Sequence, residues 1–211
     1  FVKKFYFNFL KKLINLITFL EEVLMKKIIQ LTMGFFLATS YASVIGADPG
    51  QHTISKAEII KIAMSAAPDN ISAQATILNS AGTVLREGTN GWTCMPGTPP
   101  NENVNPMCVD KAWQKWLTAF IAQAPYNSEE EGFGMTYMLQ GDALVDNNDP
   151  FNTDRSKGVW IQEGPHLMML MPASLMKDMP RDPYAGGPYV MWEGNDFVHV
   201  MVPLEVTEKP E

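Results

Sequence analysis

The chain has 211 residues, 46% of them hydrophobic and 18% charged, and a formal net charge of −7. The acidic balance excludes nucleic acid and anionic membrane as natural partners, because both select a basic footprint. Its only two cysteines, Cys94 and Cys108, are too few for a cysteine-built zinc module.

Residues 1–24 are rich in Phe, Lys, Asn, Ile and Leu, which AT-rich codons specify. Glu21-Glu22-Val23 can be encoded by a bacterial ribosome-binding sequence just upstream of Met25. We therefore expect residues 1–24 to be leader DNA read as protein, with the gene starting at Met25. The rival reading is an amphipathic helix on a membrane surface. Residues 25–47 have the secretory pattern: Lys26 and Lys27, an apolar run from Ile28 to Leu37, then small residues with cleavage expected after Ala42, Gly46 or Ala47. The run is short for a membrane span, and no later stretch is apolar enough for one. This predicts a mature domain over 48–211, in the periplasm or outside the cell. Six of the 16 basic residues and two of the 23 acidic ones precede residue 48, so that domain has 10 basic and 21 acidic residues and a net charge of −11.

Ser55-Lys56-Ala57-Glu58 is a capping box in sequence form. Ile59, Ile60, Ala63, Met64 and Ala67 follow at helical spacing, and Pro68 ends the helix. Strands are expected at 75–78 and 83–87, with a turn at Asn90-Gly91, making an antiparallel meander that delivers Trp92 and Cys94. Cys94 and Cys108 bracket a loop rich in Pro, Gly and Asn. In an oxidising compartment they are expected to form a disulfide, which removes loop-closure entropy from the unfolded chain. Asp110 is the expected N-cap of a second helix over 111–124. Its stripe is Trp113, Trp116, Leu117, Phe120, Ile121 and Ala124, and Pro125 stops it. A strand is expected at 133–139. An acidic loop follows, in which Asp142, Asp146, Asn148, Asp149 and Asp154 fit Asx turns better than a calcium site, because the glycine and terminal Glu of an EF-hand are missing. Further strands are expected at 159–162 and 165–172, with a closing hairpin from Tyr189 to Val202 that pairs His199 with Val190. Together these predict an α+β fold: a single antiparallel sheet of five to seven strands with two helices packed on one face.

Two histidines share a local pattern, His166-Leu167-Met168 and His199-Val200-Met201. In a strand, residues i and i+2 share a face, so each segment presents an imidazole beside a thioether. If the two strands are neighbours, His166, His199, Met168 and Met201 form a candidate metal site. Soft thioether donors point to copper. The bland reading is a core histidine in a strand filled by Met. A hydrolase-like enzyme would use His166 or His199 as general base, oriented by Asp142, Glu163 or Asp196. No nucleophile elbow, H-E-x-x-H or phosphate-binding glycine loop occurs in the sequence. The function expected is therefore an exported soluble domain that binds a small molecule or metal ion without catalysis. The alternatives are that enzyme and a structural envelope protein.

The strings LREGTNGWTCMP (85–96), NPMC (105–108), GPHLMMLMP (164–172) and GGPYVMW with VHVMVP (186–203) resemble a family of small exported bacterial proteins of unassigned function. The resemblance covers about residues 56–204. It implies an exported single domain and brings no activity, cofactor or catalytic residue. Residues 1–24 lie outside its pattern.

Overall fold

A computed structural model of the chain describes residues 54–97 and 105–209. The leader and signal-peptide expectations, the third histidine (His52) and the middle of the cysteine loop lie outside the described residues. The described residues fall in one compact unit, His52–Glu211.

The first helix, α1 (Lys56–Met64), starts where the capping residue predicts: the Ser55 hydroxyl accepts from Glu58 N at 3.2 Å. A four-residue helix, α2 (Asp69–Ser72), follows Pro68. Then come β1 (Thr76–Leu78), β2 (Val84–Arg86), β3 (Thr93–Met95) and β4 (Met107–Val109). The second long helix, α3 (Lys111–Ala122), is capped by Asp110, whose Oδ1 accepts from Trp113 N at 2.9 Å. Asp110 Oδ2 also accepts from Met135 N at 2.7 Å, which ties the helix start to the sheet. The helix ends at Gln123 in the left-handed conformation, two residues before Pro125. After the short α4 (Ser128–Glu131) come β5 (Gly134–Met138), β6 (Val145–Asp146), β7 (Trp160–Ile161) and β8 (His166–Leu170). A 3₁₀ turn (Ala173–Met176), β9 (Tyr189–Met191) and β10 (His199–Pro203) complete the chain.

The fold is α+β, and three details of the sequence expectation need correction. First, the main sheet has eight strands in the order β2-β1-β3-β4-β5-β8-β10-β9, while β6 and β7 form a separate pair. Second, the sheet is mixed, because β1 pairs with β3 in parallel. The expected meander fails at Gly88. There the chain crosses the start of β1 so closely that a Cβ would lie 2.1 Å from Thr76 N. Thr89 N donates to Gln74 O at 2.8 Å and Thr76 N to Trp92 O at 2.9 Å, so the chain emerges on the far side of β1. Third, the two long helices pack on opposite faces. Cys108 and Val109, adjacent on β4, point to opposite sides. Cys108 joins Cys94, Ile77, Ala63 of α1 and the alanines that follow that helix, whereas Val109 joins Trp113 and Trp116 of α3.

The sheet therefore separates three clusters. Beneath α1 lie Ala63, Ala66, Ala67, Ala75, Ile77 and the bonded Cys94–Cys108 pair, which are direct cross-strand partners. Beneath α3 lies a larger core of Trp, Tyr, Phe and Met. Behind β8, β9 and β10, on the α1 side of the sheet, Met176, Val190, Val198 and Val200 form the third. The stripe of α3 is narrower than its spacing predicts: Trp113 and Trp116 are buried, while Ile121 is 80% exposed.

Candidate functional site

β8 and β10 are antiparallel neighbours, with Met168 opposite Met201 and His166 opposite Pro203. Cross-strand partners share a face, and so do residues two apart, so His166, Met168, His199 and Met201 all point to the α3 side. Within this antiparallel pair a local twofold axis passes between Met168 and Met201. It carries His166 onto His199 and Gly164 onto Phe197.

The hydrogen bonds follow that symmetry. His166 Nδ1 lies 2.7 Å from Gly164 O, and His199 Nδ1 lies 3.0 Å from Phe197 O. A carbonyl oxygen only accepts, so each Nδ1 carries a proton, and in the neutral ring that leaves Nε2 with a bare lone pair. The rings are 0% and 1% exposed, and neither Nε2 meets a hydrogen-bond partner among the described residues. The bond from Nδ1–H to a backbone carbonyl is the same support that fixes the tautomer of metal-ligating histidines.

The two ends of the pair differ in their surroundings. His199 stands edge-on to Trp113, Trp116 and Trp192, with ring centroids 5.5, 5.8 and 4.8 Å away. Burial in this aromatic box pulls its pKa down to about 4. The Phe197 carbonyl opposes that pull and His166 adds to it. His166 stands instead toward a polar corner. Burial raises Asp142 above the usual carboxylate range, against the attraction of His166. Glu163 is buried beside it, accepting from Tyr189 Oη at 2.6 Å and Thr207 Oγ1 at 2.7 Å. Burial and that carboxylate push the Tyr189 hydroxyl well above the ordinary tyrosine range.

Several expectations about these residues change. The hairpin register is one residue off, since His199 pairs with Met191 and Val200 with Val190. The turn takes one residue more on one side than a symmetric Gly194-Asn195 turn provides, and Val190 consequently faces the opposite core. Trp192, next to Met191, still reaches the α3 side because its φ is +59°, and its Nε1 donates to Asp146 O at 2.8 Å. Of the carboxylates offered as orienters, none of Asp142, Glu163 and Asp196 bonds an imidazole among the described residues, because backbone carbonyls hold both Nδ1 atoms. The acidic loop is built on Asx turns. Asp146 accepts from Asn148 N, Asn152 Nδ2 and Val159 N, and these bonds outweigh its burial and hold it below the usual carboxylate range. Among the described residues no three His, Cys, Asp or Glu side chains gather as a metal site. Sequence reasoning missed the Glu163–Tyr189–Thr207 group, whose members are far apart in the chain and carry no spacing signal.

Six of the eight buried side-chain polar atoms without partners among the described residues lie on this one face: Trp113 Nε1, Trp116 Nε1, Tyr126 Oη, Thr136 Oγ1 and the two histidine Nε2 atoms. Two surface grooves, of about 720 and 500 Å³, lie elsewhere, one beside Trp92, Lys111 and Phe133, the other beside Met176, Arg181 and Glu193. Neither touches a histidine. The sequence matches no known protein-family model and no curated protein, and the chain matches no solved structure.

Proposed function

We propose that this is an exported soluble domain that binds a small polar ligand or ion, without catalysis, in the interior between α3 and the β8–β10 half of the sheet. The observation that carries the reading is the concentration of unpaired polar atoms on that face. A buried donor or acceptor left without a partner costs about 1–3 kcal/mol, and folded proteins keep few of them. An occupant offering both a donor and an acceptor surface would satisfy indole N–H groups and imidazole lone pairs together. The secretory pattern before residue 48 and the Cys94–Cys108 bond support export, since disulfides persist in oxidising compartments.

Native mass spectrometry of the full chain, with and without added copper, zinc and calcium, tests the reading. A stoichiometric added mass is the expected result, from a metal or from a co-purified molecule. A bare chain under every condition would leave the structural envelope role in its place. That second reading is favoured by one observation: neither described groove reaches the imidazoles.

A further inference from the structure

We infer that the larger of the two surface grooves, at the start of α3, is a binding site for a neutral oligosaccharide, with Trp92 and Phe133 under the sugar rings and Lys111 and Glu131 on their hydroxyls. The inference stands apart from the inner face and does not rest on the binding role proposed above. That face offers no shared metal centre. His166 and His199 lie four residue steps apart along the paired strands, about 13 Å, so one ion does not reach both Nε2 atoms.

The groove has a volume of about 720 Å³, within the range of about 300–1,000 Å³ common to small-molecule sites. Strand order builds it. Trp92 immediately precedes β3, Phe133 immediately precedes β5, and β4 runs between them. Two strand spacings put the aromatic residues about 10 Å apart across the sheet, a span that suits a short oligosaccharide better than a single ring. Trp92 packs on Tyr137 with ring centroids 5.5 Å apart, which fixes it. Phe133 is 66% exposed. Together they give the groove an apolar surface that the C–H face of a sugar can cover. The Lys111 stem passes over Gly91, where a Cβ would lie 3.6 Å from Lys111 Cε.

Charge decides the class of ligand. Asp110, Glu131, Lys111 and Lys115 all line the groove, two carboxylates against two ammonium groups, so its formal charge is balanced. Asp110 is spent on the backbone N–H groups of Trp113 and Met135. Lys115 Nζ and Glu131 Oε2 pair at 2.7 Å. Among the described residues that leaves the Lys111 ammonium as a donor and Glu131 Oε1 as an acceptor. A hydroxyl both donates and accepts, so a polyol meets both groups at once. An anionic ligand would face Glu131 and a chain of net charge −7, and a cationic one would face two lysines. A purely apolar ligand would strip water from the charged rim and return no hydrogen bonds. A neutral ring with an apolar face and hydroxyl edges matches both parts of the lining.

Saturation-transfer NMR and calorimetry of the full chain with triacetylchitotriose, cellotriose and maltotriose test the inference, with trigalacturonate as the acidic comparison. At least one neutral trisaccharide should bind at millimolar concentration, and trigalacturonate should bind more weakly. Phe133→Ala should weaken binding by about threefold to tenfold, the worth of one aromatic contact. Lys111→Met keeps the stem, removes the ammonium and should weaken binding by about threefold or more. Both residues are exposed, so both variants should melt as the parent does. Leu175→Ala, at a 60% exposed apolar residue outside the groove, should leave binding unchanged. Failure of every neutral trisaccharide to bind would overturn the inference. So would tighter binding of trigalacturonate, or an affinity unchanged in both groove variants.

Discussion

The cores on the two sides of the sheet are built on opposite principles. Under α1 the side chains are small, Ala63, Ala66, Ala67 and Ala75, and the space is closed by a covalent bond between Cys94 and Cys108. Its one buried side-chain polar atom without a partner among the described residues is Ser72 Oγ. Under α3 the side chains are large and aromatic, nothing is covalently fixed, and six polar atoms have no partner among the described residues. Small close-packed residues and a disulfide hold a shape, whereas Met, Trp and His under one helix leave polar atoms facing inward without partners. We read the first region as scaffold and the second as the part that binds.

The largest effect is expected from Trp116→Ala. Trp116 is 3% exposed and stacks on Phe120 at 4.9 Å, with Trp113 at 4.8 Å and Phe197 at 5.5 Å. Truncating it should cost about 3–5 kcal/mol in urea unfolding. A loss below 1 kcal/mol would mean that the α3 core is loosely held. On the other side, reducing Cys94–Cys108, which spans a sequence separation of 14, should cost about 3 kcal/mol. Comparing melts with and without reductant measures it, and equal melting temperatures would refute the scaffold reading of that side.

The α3 side also carries a pH response. In the unfolded chain His199 titrates near the ordinary histidine value of about 6.5. In the folded chain it titrates at about 4. Between those values the unfolded chain holds a proton that the folded chain does not. Stability conferred by the neutral buried ring is thus whole above about pH 6.5 and is lost as pH falls toward 4, by up to about 3 kcal/mol. Urea midpoints measured across that window should show the loss, and His199→Leu should flatten it. An unchanged slope in that variant would assign the acid sensitivity to another group.

The smallest effects compare the two helix caps. Asp110→Ala removes both the α3 cap and the bond to Met135 N, and should cost about 2 kcal/mol. Ser55→Ala removes a single exposed cap bond on α1 and should cost about 0.5–1 kcal/mol. Equal losses would mean that Asp110 acts as a cap only.

Local signals in the sequence read well where they act locally. Ser55, Asp110 and Pro125 mark helix ends because capping and proline sterics depend on a few neighbouring residues, whereas α1 stops at Met64, short of the end expected at Pro68. The buried strand around His166–Leu170 is legible from its apolar run and length. What the sequence conceals is long-range. The alternation in β5 places Gly134, Thr136 and Met138 under α3 and Tyr137 against the α1 core, so both faces are covered and the pattern does not say which side a helix takes. Gly88 gives no sign in sequence that another strand will cross it. For the candidate site, His-x-Met twice over was visible. The pairing of Met168 with Met201, which makes the two copies symmetric, was not, because register is set by partners on other strands. For the same reason the sequence pattern pairs His199 with Val190, one residue away from its partner Met191.

Strand β4 is three residues long, yet it serves both sides of the sheet, sending Cys108 to one core and Val109 to the other. A slip of one residue along β4 would exchange those side chains and spoil both cores at once. The bond from Cys108 to Cys94 forbids that slip from one end. The paired partners then follow across the sheet, Cys108 to Tyr137, Tyr137 to Leu167 and Leu167 to Val202. The single covalent link under α1 thus acts as an alignment pin. It helps determine which side chains of β8 and β10, three and four strands from β3, look toward α3.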